Sequence, residues 1–344
     1  MASSNLPIIL YHYVFSPYAR RIVWYLTLRN IPYSQCMQPP VLPRPDLAAL
    51  GISYRRIPLM SIGRDVYADT RLILQKLEEL YPPSSEHPSI SASSGDGAAL
   101  ERLLSHFIID GGIFMRAASL MPPDLPVFKD PRFVKDRAEL TGAPPGGPSP
   151  FSPKALQARR PESLSEIRDA VALLESTLLA DGREWILKTS GPSLGDIEAV
   201  WPFHWLTTMP GALPADAIGP AKFPKVFAWI KRFSKAVEAR LGEVGKPTTL
   251  KGDEAAKAVV GSDFAEHDEQ VDASELYATA NGFRKGDTVR VWPTDSGSSH
   301  KDVGKLVALT SKQIVIETQG TAGSVRLHAP RHGFRLGKAD QSNL

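Results

Sequence analysis

The order of strand-like and helix-like runs in the first 83 residues is the feature that most limits what this chain can fold into. Ile8-Ile-Leu-Tyr-His-Tyr13 is β-prone and too short for a helix, so it reads as a first strand. After Ser16 and Pro17, the run Ala19 to Arg29 places Ile22, Val23, Trp24, Leu26 and Leu28 where a helix packed on a sheet needs them. Asn30 ends that helix, and a second strand can begin at Ile31-Pro-Tyr33. Pro39, Pro40, Pro43 and Pro45 argue against regular structure over 39–50. Arg56 to Met60 and Asp65 to Tyr67 flank Ile62-Gly-Arg64 as a hairpin does. A helix then runs from Thr70 to Tyr81, capped by Asp69 or its neighbour and stopped by Pro82-Pro83. The resulting order is β-α-β-α-β-β-α, an α/β unit.

Beyond a polar Ser/Gly stretch the pattern turns helical. Leu100 to Leu120 reads as one long helix that Gly111-Gly112 would weaken or bend. Residues 143–153, rich in Pro and Gly, read as a mobile loop. Ser163-Leu-Ser-Glu166 is a capping-box pattern followed by an apolar stripe at Leu164, Ile167, Val171, Leu174 and Leu178. Ser193-Leu-Gly-Asp196 opens another helix, which Pro202 must bend, and Phe223 to Phe233 begins a last strong one. Residues 246–280 are polar and read as a connector with at most a short helix. From Gly282 onward, five short strand candidates (288–292, 303–309, 313–317, 324–327 and 334–336) suit a small barrel or curled sheet. The division expected is therefore 1–85, 95–245, 246–280 and 281–344.

Composition excludes several classes. With 42% hydrophobic and 22% charged residues the chain has a globular balance, and 344 residues call for two or three domains. No apolar run approaches the roughly 18 residues of a membrane span, and Met1 to Pro7 lacks the pattern of a secretory signal. The single cysteine, Cys36, cannot form an internal disulfide; the chain reads as cytoplasmic. Cys36 itself, on the second strand, reads as a small buried hydrophobe. The eight histidines show no metal-ligand spacing, and no phosphate-binding glycine loop is present. His204, among Trp201, Phe203 and Trp205, reads as a packing histidine. Between Arg284 and Lys338 ten Lys/Arg face four Asp/Glu, yet aromatic residues there are too sparse for a nucleic-acid stacking surface. A packing or self-association role is favoured for that module.

The chemically informative segment is Phe15-Ser-Pro-Tyr-Ala19, between a strand and a helix. Free N–H groups and the positive dipole end of a helix stabilise an anion, and a hydroxyl there adds a donor. A thiol, with a reference pKa of about 8.5, would be pulled toward neutrality in such surroundings. Ser16 is thus suited to hold a bound thiolate, although a serine there can simply cap the helix.

Three segments together resemble the glutathione S-transferase-like superfamily. Ser16-Pro-Tyr-Ala19 stands where glutaredoxin-like chains have Cys-Pro-Tyr-Cys. Arg56-Ile-Pro-Leu59 resembles the Val-Pro-x-Leu segment of glutathione transferases, whose proline is cis. Tyr67-Ala-Asp-Thr-Arg-Leu-Ile73 resembles that family's Glu-Ser-x-Ala-Ile signature. In the helical half, Ser193 to Asp196 and Phe223 to Ile230 resemble the family's buried-helix capping box and its late aromatic-Pro segment. The flavour is that of transferase-like proteins of filamentous fungi, which often serve secondary metabolism.

The resemblance implies a thioredoxin-like N-terminal domain, an all-helical C-terminal domain and an additional β-barrel. It implies glutathione as co-substrate or cofactor: Ser16 on the thiolate (Tyr13 as runner-up), Ile57 and Pro58 pairing with the peptide backbone, Asp69 on the ammonium, Thr70 on the γ-glutamyl carboxylate. Arg55 or Arg56 stands where the glycyl carboxylate could be met; Arg56 is the choice. Phe15, Tyr18, His106, Phe107, Asp110 and Phe114 are candidates for the pocket of an apolar electrophile, with core packing the alternative for the helical ones. A homodimer is the expected state. The activity implied is conjugation, isomerisation or elimination through the glutathione thiolate. The chain departs from the family in having Asp69 for Glu and in lacking Asn-Pro before the cis-proline. Those departures keep open a non-catalytic scaffold and a glutathione-independent enzyme on the same fold.

Overall fold

A computed structural model describes residues 6–144, 147–267 and 270–339. Strand β1 (Ile8–His12) leads into α1 (Pro17–Leu28), which is capped by Ser16, starts on Pro17, and ends where Asn30 takes a positive φ of 53°. β2 (Ser34–Met37), β3 (Leu59–Ile62) and β4 (Asp65–Ala68) complete the first sheet, and α3 (Thr70–Leu80) follows. A short helix α2 (Pro45–Ala49) forms inside the proline-rich stretch read as irregular, with Pro45 at its first turn, where its missing N–H costs nothing. β1 pairs parallel with β2 and antiparallel with β3, and β3 antiparallel with β4.

The helical half differs from its sequence reading in two places. The helix expected over 100–120 is two: α4 (Gly95–Ile109) and α5 (Ile113–Ser119). Gly112 lies in the left-handed region (φ 82°), and a Cβ on Gly111 would sit 2.3 Å from the Phe107 carbonyl oxygen, so the glycine pair breaks the helix. After a 3₁₀ turn at Pro126–Lys129, α6 (Pro131–Leu140) starts under an Asp130 cap; no helix was expected there. α7 (Pro153–Ser176) begins at Ser152 and Pro153, about ten residues before the capping box read at Ser163. Ser163 is instead buried inside the helix, so that box goes unused. Part of the loop read at 143–153 (residues 145 and 146) lies outside the described residues. α8 (Leu194–Thr207) uses its capping box as expected, Ser193 and Asp196 exchanging bonds of 3.3 and 2.8 Å. It continues through Pro202, and α9 (Pro224–Val244) packs beside it. Asp196 also accepts from Trp229 Nε1 at 2.8 Å, tying the two helices in the core.

The connector is more structured than its polarity suggested. β5 (Thr248–Leu250) adds parallel to β2 at one sheet edge, and α10 (Gly252–Val260) buries Ala255, Ala256 and Val259. α11 (Leu276–Asn281) follows. The five C-terminal strands form as expected: β6 (Thr288–Pro293), β7 (Asp302–Leu309), β8 (Gln313–Gln319), β9 (Ser324–Pro330) and β10 (Phe334–Lys338), with β6 to β9 pairing antiparallel in succession and β10 returning antiparallel beside β6. β9 also pairs parallel with β4, so one ten-stranded sheet runs β10-β6-β7-β8-β9-β4-β3-β1-β2-β5. One sheet face packs on α1, α3 and the helical half; the other packs on α2, α10 and the C-terminal strands in a shared core. The β8–β9 turn docks so closely on the loop after α2 that a Cβ on Gly51 would lie 2.7 Å from the Gln319 backbone. No described helix is long and apolar enough to cross a membrane.

Candidate functional site

Strand register brings the three motif segments to one end of the sheet. Tyr11 stands opposite Leu59, and Leu59 opposite Ala68. One step beyond that row lie the β1–α1 loop with Ser16, Pro58 before β3, and Asp69 with Thr70 after β4. The N-termini of α1 and α3 therefore open at the same edge, a polarity that favours anions. The Ile57–Pro58 peptide is cis, as the resemblance implied.

Ser16 is buried, and its Oγ accepts from Ala19 N at 3.3 Å. Accepting leaves its own O–H proton available to another acceptor. The preceding residues are open: Val14 and Phe15 are exposed, and the Phe15 ring lies 4.8 Å from that of half-buried Tyr13.

Asp69 caps α3 with a positive φ of 71°, accepting from Arg71 N at 3.0 Å. The Arg71 side chain doubles back, donating Nε to Oδ1 at 3.2 Å and Nη2 to Oδ2 at 3.3 Å. Burial pushes the Asp69 carboxyl up, but Arg71 beside it, with Arg56 behind, outweighs this and holds it below the usual carboxylate range. Thr70 is buried and accepts from Arg21 Nη1 at 2.6 Å; since a guanidinium only donates, the hydroxyl proton is again left over. Arg21, wholly buried, also pairs with Glu198 of α8 and lies over the Trp201 ring. Neither Arg21 nor Glu198 was singled out from the sequence. The available signal was an arginine on the otherwise apolar side of α1, which demands a buried partner.

Arg56 is spoken for by the C-terminal strands. It donates to Asp295 at 3.0 Å, and its guanidinium lies 5.5 Å from the rings of both Tyr54 and Phe334. Burial would lower its pKa, but Tyr54, Asp295 and Asp69 reverse that and raise it. Arg55, the alternative considered beside it, is buried and paired with Asp136 of α6 at 2.8 Å, so it is committed to the interior.

Of the co-substrate candidates, the structure brings Tyr18 and Phe114 together, ring centroids 4.6 Å apart, with Trp201 4.7 Å from Tyr18 and 4.8 Å from Phe114. Burial keeps the Tyr18 phenol neutral well beyond its ordinary range. Phe107 packs against the main core. His106 and Asp110 join a separate group: His106 Nδ1 and His332 Nε2 lie 2.5 and 3.1 Å from Asp110 Oδ2, and Arg71 Nη1 donates to both Asp110 oxygens at 3.1 Å. Cys36 is buried, and burial with neighbouring Asp46 pushes its thiol up to about 12, consistent with an inert side chain. His204 packs edge-on against Trp24, and burial, then Arg20, lowers its pKa to about 4. Two surface cavities lie away from this sheet end, one of about 450 Å³ around Gln270 to Lys285 and one of about 490 Å³ between the ends of α1 and α9.

Residues 10–85 match the family model of the glutathione S-transferase N-terminal domain, and residues 116–241 match a domain of unknown function, DUF7962. No curated protein matches. Among solved structures, a glutathione transferase-like protein from Pseudomonas syringae aligns over 96% of this chain and all of its own, at 23% identity and TM-score 0.67. A beta-etherase from Sphingobium aligns over 69% of this chain and 100% of its own (17%, TM-score 0.51). A Tau class glutathione S-transferase from mango aligns over 70% and 94% (16%, TM-score 0.50). The chain thus has the fold of glutathione transferase-like proteins, a thioredoxin-like domain that matches the transferase N-terminal family model, a helical domain and a C-terminal β element.

Proposed function

We propose that this chain is a glutathione-dependent transferase in which the Ser16 hydroxyl donates a hydrogen bond to the thiolate of bound glutathione. The observation that carries this reading is the convergence of the Ser16 cap, the cis Ile57–Pro58 peptide and the Asp69–Thr70 helix start at one sheet end. Glutathione would lie along Ile57, its γ-glutamyl carboxylate at the Thr70 hydroxyl and the α3 N–H groups, its ammonium at the remaining lone pair of Asp69 Oδ2. Arg56 would meet the glycyl carboxylate. The thiolate attacks an electrophilic carbon of a small apolar molecule held beside Tyr18 and Phe114, with Phe15 at the rim. The leaving group takes the electron pair in conjugation; loss of the thiolate again gives isomerisation or elimination.

One observation favours a second reading. Both charged groups expected to hold the ends of glutathione are already paired within the chain, Asp69 with Arg71 and Arg56 with Asp295. A fold kept for another ligand or as a scaffold would show the same.

Calorimetry with glutathione separates the two readings, together with ultraviolet titration of the bound thiol. The first predicts saturable binding, lost by about tenfold or more in Asp69→Ala, the scale of a charge-assisted hydrogen bond. Ser16→Ala should retain binding and raise the bound thiol pKa by about one unit or more. Absence of binding at millimolar glutathione would sink the first reading.

A further inference from the structure

The group at His106, Asp110 and His332 is not used by the reaction proposed above, and it has the chemistry of a metal site. His106 is near the end of α4 and Asp110 follows one turn later, so both side chains project from the same face. His332 lies in the turn between β9 and β10, 222 residues further along the chain. The three ligand atoms all lie within 4.8 Å of one another, and the two imidazole rings stand 5.1 Å apart at 89°. Two imidazoles from separate parts of the fold thus converge on a single carboxylate oxygen.

We infer that His106, Asp110 and His332 bind one divalent transition-metal ion of the zinc class, which clasps the helical domain to the C-terminal β element. Metal–ligand distances of about 2.0–2.1 Å place neighbouring tetrahedral ligand atoms about 3.3 Å apart. The 2.5 and 3.1 Å separations at Asp110 Oδ2 lie within an ångström of that value, and the two imidazoles, whose ligand atoms are within 4.8 Å, close by at most about 1.5 Å through rotation of exposed side chains. All three side chains are partly open to solvent, at 42%, 36% and 58%, so an ion can enter and a water can complete the shell. Two nitrogens and one oxygen suit zinc, nickel or copper(II), whereas magnesium and calcium call for more oxygen ligands.

Charge agrees with this assignment. Asp69 and Asp110 contribute two negative charges against the single guanidinium of Arg71 that bridges them. A divalent ion turns that surplus of one negative charge into one positive, rather than piling onto a cationic patch. Arg71 keeps both Asp110 oxygens oriented, the part an outer-shell donor plays at a metal carboxylate.

The test uses the full chain stripped with a chelator, then titrated with cobalt(II) followed by visible absorption, and with zinc by calorimetry. One ion per chain is expected, zinc displacing cobalt. His332→Ala and Asp110→Asn, both at the surface, should each weaken binding by at least about tenfold. Zinc should also raise the melting temperature of the wild type and leave that of His332→Ala unmoved. No saturable binding below about 100 μM metal, where a site of this kind should already fill, would overturn the inference. Binding unchanged in His332→Ala would place the ion elsewhere and overturn it equally. Either result is independent of whether glutathione binds.

Discussion

Asp302, at the start of β7, is buried and offers Oδ1 to the backbone N–H groups of Ser53 (2.5 Å) and Tyr54 (3.2 Å), in the loop that leads to Pro58. Burial raises its pKa from 3.8 to about 7, and the two N–H bonds only partly oppose it. A folded pKa above the unfolded one means the folded chain holds the proton more tightly. The stability this group contributes is therefore complete below about pH 4, falls as pH rises, and is gone above about pH 7. Asn keeps the accepting oxygen and cannot ionise. We expect the stability of Asp302→Asn, relative to wild type, to rise by about 1–3 kcal/mol between pH 5 and pH 8 in urea unfolding. A difference that does not change with pH would show that Asp302 ionises freely. At this scale the sequence was informative where a residue's job is local: Ser16 and Asp69 cap the helices they precede. It was silent on the pairing of Arg71 with Asp110, of Arg21 with Glu198 and of Asp295 with Arg56, which are fixed by which elements meet.

Among the elements, the seam between β4 and β9 carries a buried polar network. Asp65 is wholly buried; it accepts from the backbone of Ala265 (2.6 Å) and Glu266 (3.0 Å) and pairs with His328 Nε2 at 2.7 Å. Glu266 in turn receives Lys76 Nζ at 2.8 Å and the Tyr67 hydroxyl at 2.9 Å. Strand β4, an α3 lysine, the connector and strand β9 are thereby joined through two carboxylates. Removing one partner leaves buried donors unmet, which is strongly destabilising. Asp65→Ala is expected to cost about 3–5 kcal/mol by chemical denaturation, whereas exposed Asp124→Ala should change little. Helix starts were legible where Ser, Asp or Pro announced them, as at α8. The start of α7 was misplaced because two serines, Ser152 and Ser163, both qualify as caps; only packing decides which turn is helical.

For the whole molecule, the C-terminal residues are part of the thioredoxin-like sheet rather than an addition beside it. β5 covers its β2 edge, β9 its β4 edge, and α10 part of one face. An exposed strand edge and apolar face invite aggregation. A chain ending at Gly245 is therefore expected to lose cooperative unfolding and to self-associate, as read by circular dichroism and size-exclusion chromatography. A monodisperse truncated chain with an unchanged cooperative transition would show that the first two domains are self-sufficient.

The local order of elements is legible along the chain: the α/β pattern, the helical half, the five late strands, and the three segments that mark the candidate site. These follow from periodicity, capping and proline placement, all of which act over a few residues. Folding in three dimensions is what pairs β4 with β9, sets Asp295 and Phe334 on Arg56, and brings His332 to Asp110. Those contacts join residues more than two hundred positions apart, and their choice depends on edge pairing and burial, which no local pattern encodes.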